Sequence, residues 1–137
     1  MPKLRCRACL VSCMDFRLHE PLRRFITAHD LDRDGVDVVR IAGVAKNLAR
    51  PASPWEREFL LNQLKASVRL HEIREVFLVN HEDCGAYGLE NVPDPEEELT
   101  LHAEDLRAAK EIVLRELPDV SVHTYFMRLD GRASRVD

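Results

Sequence analysis

Residues 75–85 read EVFLVNHEDCG, the pattern of a buried strand followed directly by side chains that can act as acids, bases or metal ligands. Branched and aromatic residues bounded by charges predict a strand over residues 75–80. The strand runs straight into His81, and Asp83, Cys84 and Gly85 follow it. A strand that ends on such residues is typical of a parallel sheet, in which ligands collect at the carboxyl ends of the strands.

Outward from this strand, further strands alternate with helices. Apolar runs and hydrophobic periodicity place the boundaries. The predicted strands lie at residues 7–13, 36–41, 75–80 and 120–129, the last of them at an edge. The predicted helices lie at residues 18–29, 54–71 and 101–117, with a loop over residues 85–98. This alternation indicates a three-layer α/β fold in which helices flank a mostly parallel central sheet of about four strands.

Length and charge narrow the class of protein. The chain has 137 residues, of which 45% are hydrophobic, and we expect a single domain over residues 1–137. Lys and Arg number 20 against 24 Asp and Glu, and this net charge of −4, with both signs interleaved, argues against a nucleic-acid partner. No apolar run is long enough for a membrane span or a signal peptide, so we expect a cytoplasmic protein with no membrane partner. In a reducing compartment its four cysteines are thiols or metal ligands rather than disulfides.

The ends of two predicted strands carry metal-ligand residue types. Cys13 closes the first strand, and His81 and Cys84 follow the third. The carboxyl ends of neighbouring parallel strands share one edge of a sheet, so two thiols and one imidazole would meet there. Three such ligands with an open fourth position suit a catalytic zinc. The alternative is that the cysteines are core thiols and that His81 is a capping residue, and the spacing by itself leaves both interpretations open.

Three segments together resemble the beta-class carbonic anhydrases. They are CMDFR at residues 13–17, RIAG at residues 40–43 and NHEDCG at residues 80–85, and the resemblance extends over residues 9–88. The resemblance implies that Cys13, His81 and Cys84 bind Zn²⁺. It further implies a lyase, a carbonic anhydrase that reversibly hydrates carbon dioxide to bicarbonate through a hydroxide on the metal.

The same resemblance assigns catalytic roles to Asp15 and Arg17. Asp15 would accept a hydrogen bond from the hydroxide and orient it, and Arg17 would clamp the Asp15 carboxylate and keep it ionised. In part of the family this aspartate binds the zinc in a resting state. Whether Asp15 is a fourth zinc ligand in the resting state therefore stays open.

The chain departs from the family pattern at Phe16, Ile41 and Val44, and the last two add bulk near the expected pocket. Only 12 residues precede Cys13, so the N-terminal arm that wraps the partner subunit in this family is not expected. We therefore expect a homodimer whose subunits wrap around each other less than those of the family. The alternatives to a hydratase are a zinc-binding protein with a structural or regulatory role, or a hydrolase of a related small molecule such as carbon disulfide.

The remaining candidate residues carry weaker signals. Cys6 and Cys9 form a Cys-x-x-Cys, for which we favour small buried residues over a second zinc or redox site. His19 follows Arg17 closely enough to be a candidate proton shuttle, and Tyr87 is a second candidate. Asp83 is interpreted as a capping or loop acceptor.

Overall fold

The computed structural model describes residues 4–88 and 94–137, and at its centre lies a five-stranded sheet with the order β2-β1-β3-β4-β5. The strands are β1 (Ala8–Ser12), β2 (Val36–Arg40), β3 (Glu75–His81), β4 (Ser121–Met127) and β5 (Ala133–Arg135). The first four pair in parallel and β5 pairs antiparallel with β4. The predicted α/β class with a mostly parallel sheet is confirmed.

Helices fill the crossovers between the parallel strands. They are α1 (His19–Ala28), α2 (Leu31–Asp34), α3 (Lys46–Ala49), α4 (Pro54–His71) and α5 (Pro95–Glu116), with single 3-10 turns at Phe16–Leu18 and Gly85–Tyr87. The α4 helix has the predicted boundaries because Pro54 suits a first helical turn and the left-handed Glu72 ends the helix. No helix in the described ranges is both long enough and apolar enough to cross a membrane.

Aromatic contacts attach helices to both faces of the sheet. Phe25 of α1 lies edge-on to Phe77 and Tyr125, with ring centroids 6.2 and 5.1 Å apart. On the opposite face His102 of α5 lies 5.0 Å from the ring of Phe126. Because side chains alternate between the faces of a strand, this arrangement gives the predicted three layers.

The register of the central strands determines where the functional residues emerge. All five residues of β1 are buried, and the strand pairs on both sides. Its last residue, Ser12, lies opposite Arg40 of β2 and Val79 of β3. The residues that follow β1, β2 and β3 therefore leave the sheet at the same edge.

Two features near the C-terminus differ from the sequence prediction. The α5 helix begins at Pro95, not at residue 101, because Asp94 caps it by accepting a hydrogen bond from the Glu96 N–H at 2.9 Å and the acidic first turn complements the helix dipole. The predicted loop thus ends by Asp94, and its residues 89–93 lie outside the described residues. The prediction of β4 as an edge strand is wrong, since the short β5 pairs beside it.

Candidate metal centre

The ends of β1 and β3 bring Cys13, His81 and Cys84 together. His81 is the last residue of β3, Cys13 comes directly after β1, and Cys84 lies in the loop after His81. Their ligand atoms all lie within 4.8 Å of one another, and all three side chains are buried. The group predicted from the strand ends is therefore assembled, and it could hold a metal ion.

His81 presents one ring nitrogen to this group. Its Nδ1 donates a hydrogen bond to the Glu82 carbonyl at 2.7 Å, which fixes the tautomer and leaves a lone pair on Nε2. Nε2 is buried and has no hydrogen-bond partner among the residues described. Buried polar atoms are normally paired, so an imidazole lone pair orphaned beside two thiols fits a metal ligand.

The two sulfur atoms have a spacing that suits a shared ion. The Sγ atoms of Cys13 and Cys84 are 4.0 Å apart, and two thiolates bound to one tetrahedral zinc at about 2.3 Å lie roughly 3.8 Å apart. The hydrogen bond between the two thiols lowers the pKa of Cys13 and raises the pKa of Cys84. A smaller contribution from the Gly43 main chain lowers the pKa of both thiols. A set of two sulfurs and one imidazole nitrogen suits zinc.

Asp15 lies beside this group, with Oδ2 3.9 Å from His81 Nε2. Arg17 binds it through Nε at 3.1 Å from Oδ1 and through a terminal amino group at 2.7 Å from Oδ2. The Arg17 main-chain N–H adds a third donor at 2.9 Å. These hydrogen bonds lower the pKa of Asp15 to about 2, so the carboxylate is ionised at neutral pH.

Comparison with known proteins agrees with this arrangement. A family model described as "Putative carbonic anhydrase" matches residues 4–137. The chain belongs to this carbonic anhydrase family. It is also 28% identical over 131 residues to an uncharacterized protein of Rickettsia conorii (strain ATCC VR-613 / Malish 7), covering 93% of this chain and 70% of that protein. An uncharacterized protein of Rickettsia bellii (strain RML369-C) is 29% identical over 126 residues, covering 89% of this chain and 76% of its own length.

Arg40 holds the backbone at this candidate site, a contact that no sequence motif indicated. Its guanidinium donates to the main-chain oxygens of Cys13 at 3.0 Å and Asp15 at 2.8 Å. It also donates to His19 Nδ1 at 2.7 Å. Arg40 thus fixes the backbone that carries both the first thiol and the carboxylate. The only signal in the sequence was its place at the start of the RIAG segment.

A buried polar network lies behind the site, around Asn80. The Asn80 side-chain oxygen accepts from the Ala45 N–H at 3.2 Å, and its amide donates to the Tyr87 hydroxyl at 2.8 Å and to His102 Nδ1 at 2.9 Å. The network continues from Tyr87 to Asp105. Burial lowers the pKa of His102 to about 4, so that ring is neutral at physiological pH.

The departures from the family pattern have different structural outcomes. Phe16 has 77% of its surface exposed, so it faces solvent and does not pack into the protein. Ile41 packs against the hydrophobic core, and Val44 is buried in it at a φ of +39°, which strains a branched residue. The bulk at residues 41 and 44 is therefore absorbed largely by the core.

The two candidate proton shuttles, His19 and Tyr87, have different surroundings. His19 is exposed and held by Arg40, so its ring can exchange protons with solvent. Burial and the Asp105 carboxylate raise the pKa of Tyr87, and its hydroxyl is engaged with Asn80. Asp83 accepts a hydrogen bond from Arg17, in keeping with its interpretation as a loop acceptor.

Proposed function

We propose that this protein is a beta-class carbonic anhydrase that uses zinc to hydrate carbon dioxide reversibly to bicarbonate. The observation that carries the proposal is the buried Cys13, His81 and Cys84 group, with its orphaned imidazole nitrogen next to an arginine-clamped carboxylate. Membership of a carbonic anhydrase family supports it.

Cys13, His81 and Cys84 would hold the Zn²⁺. When bound, zinc acts as a Lewis acid and lowers the pKa of water towards neutrality, a property established for carbonic anhydrases themselves. The protein supplies three ligands and a buried setting, in which charges interact more strongly than in bulk water.

Asp15 would orient the attacking water. As a carboxylate it only accepts hydrogen bonds, so it binds the water hydrogen and directs the oxygen lone pair towards carbon dioxide. Arg17 keeps both Asp15 oxygens engaged, and this favours Asp15 as an acceptor over Asp15 as a fourth metal ligand. His19, which is exposed and hydrogen-bonded to Arg40, would pass the released proton to solvent.

The proposal includes a homodimer in the cytoplasm. Met14 and Phe16 flank Asp15 with 65% and 77% of their surfaces exposed, and a second copy of the chain would cover them. In the described part of the chain β2 has β1 as its sole strand neighbour, so its outer edge is open to a partner. All four cysteines are free, as a reducing compartment requires.

Stopped-flow measurement of carbon dioxide hydration by zinc-loaded protein tests the activity. We expect catalysis by the natural sequence, its loss in Cys84→Ser, and its retention in Cys9→Ser, a matched change of a buried thiol outside the site. If zinc is bound but carbon dioxide is hydrated no faster than without protein, the proposed activity is wrong and the protein is a zinc-binding protein without hydratase activity. Sulfide release from carbon disulfide without carbon dioxide hydration would instead indicate the related hydrolase. A lack of zinc by elemental analysis would contradict all three functions.

A further inference from the structure

A second group of metal-ligand side chains lies at the opposite end of the sheet. Cys6 precedes β1, Asp37 belongs to β2, and His71 is the last residue of α4. Each supplies one ligand atom, and these atoms all lie within 4.8 Å of one another. Cys6 comes before β1 begins and Cys13 after it ends, so the two groups are separated by the length of a strand.

Main-chain contacts hold Cys6 and His71 side by side. The Cys6 N–H donates to the His71 carbonyl at 3.1 Å. Gly35 makes room for this approach, because a Cβ at that position would lie 2.7 Å from Cys6 Cβ. Its φ of +89° also favours glycine. The backbone therefore places the thiol next to the imidazole independently of any side-chain attraction.

The Asp37 carboxylate lies beside the same two residues. His71 Nδ1 lies 2.8 and 2.9 Å from the two carboxylate oxygens, and the Ser67 hydroxyl donates to Oδ2 at 2.6 Å. Within residues 4–88 and 94–137, no lysine or arginine makes an ion pair with Asp37. The side chains of Asp37 and His71 are about one-third exposed, so an ion could reach them from solvent.

We propose that Cys6, Asp37 and His71 form a second site for a divalent transition metal of the zinc class. One sulfur, one carboxylate oxygen and one imidazole nitrogen are all ligands that zinc accepts, and partial exposure leaves a fourth position to water. The Ser67 hydroxyl serves as the outer hydrogen bond that orients a ligating carboxylate. The site uses Cys6 without Cys9, which is fully buried in β1, and so it differs from a Cys-x-x-Cys site.

A metal there would join three separate parts of the chain. Cys6 belongs to the N-terminal segment, Asp37 to the edge strand and His71 to the end of a long helix. An ion that binds only the folded arrangement stabilises it. We therefore expect the site to raise the unfolding temperature and to take no part in carbon dioxide hydration.

Metal stoichiometry of the full chain tests this proposal. Metal-free protein is titrated with Co²⁺, whose absorption reports thiolate and imidazole ligation, and then with Zn²⁺. We expect two bound ions in the natural sequence, one in Cys6→Ser, one in His71→Gln, and two in the control Cys9→Ser. Asp37→Asn, which keeps the size of the side chain but only one of its two acceptor oxygens, should weaken binding of the second ion without changing the circular dichroism of the fold.

The Cys84→Ser variant separates this site from the proposed catalytic one. We expect Cys84→Ser to keep one ion, with a single-thiolate cobalt spectrum and a zinc-dependent rise in unfolding temperature that the added Cys6→Ser change abolishes. This result is independent of hydratase activity. A single ion in the natural sequence that Cys84→Ser abolishes would overturn the proposal. A second ion that persists in folded Cys6→Ser/His71→Gln protein would also overturn it.

Discussion

Arg17, which follows β1, donates hydrogen bonds to both the carboxylate and the main-chain oxygen of Asp83, which follows β3, at 3.0 and 2.9 Å. The same guanidinium holds Asp15. One side chain therefore joins the two loops that carry the thiols. These contacts hold together the two loops that carry Cys13 and Cys84, the thiols of the candidate metal centre.

Replacing Arg17 by lysine should reduce catalysis more than metal binding. Lysine keeps the charge, but it lacks the planar guanidinium group that binds both Asp15 oxygens and Asp83 at once. We expect carbon dioxide hydration to fall about 10–100-fold, the range typical of residues that orient a metal site. Stopped-flow rates and zinc content check this. Arg23→Lys, which alters an exposed arginine paired with Glu20, is the control and should match the natural sequence. An unchanged rate in Arg17→Lys would contradict the role given to Asp15.

Replacing Arg40 by glutamine should weaken zinc binding. Glutamine is too short to keep the bonds to the Cys13 and Asp15 carbonyls, so the first ligand loses its fixed position. We expect zinc affinity to fall about 10–100-fold in competition with a coloured chelator. Arg57→Gln is the control, because Arg57 also donates to a main-chain carbonyl, that of Leu48, away from the site. Equal zinc affinity in both variants would remove Arg40 from the positioning residues.

Acid should destabilise the fold through His102. Its pKa is about 4 when folded and about 6.5 when unfolded, so between these values the unfolded chain binds more protons. Stability is therefore full above pH 6.5 and falls as pH drops towards 4, by on the order of 3 kcal/mol in total. Urea unfolding of metal-free protein at several pH values checks this against His102→Gln. The free energy difference between the two proteins should shrink with falling pH, and a constant difference would contradict the assignment.

Polar replacement of the exposed apolar residues beside the site should prevent dimer formation. We expect Met14→Gln/Phe16→Ser to sediment as a monomer where the natural sequence sediments as a dimer. Phe59→Ser is the matched control, since Phe59 is likewise an exposed apolar residue but lies on α4. Sedimentation velocity measures the oligomeric state of all three proteins. A natural sequence that is monomeric, or a variant that remains dimeric, would contradict the proposed interface.

The sequence predicted that Cys13, His81 and Cys84 come together, because these residues lie at or just after the ends of two strands. Buried runs at residues 7–13 and 75–80 are unambiguous, and parallel pairing places Cys13 and His81 at one edge of the sheet. The beginning of α5 was missed because proline and clustered acidic residues are common to loops and to helix N-termini. The short β5 was missed because three residues show no useful alternation.

Tertiary contacts account for the other differences. Arg40 contacts residues 25 and 27 positions away, and no local pattern encodes such a partner. The group of Cys6, Asp37 and His71 likewise depends on three distant segments. The exposure of Phe16 follows from the path of the chain after Cys13, which hydrophobicity alone does not predict.

The distance along the chain between the two thiols sets an order of events during synthesis. Cys13 and Cys84 are 71 residues apart and meet only once β3 has paired beside β1, after a crossover that contains four helices. His81 and Cys84 alone offer a local pair of ligands, and a complete zinc site rarely exists in an unfolded chain. The three residues therefore come together only after the central sheet has formed, so a metal ion that needs all of them would bind late, after folding.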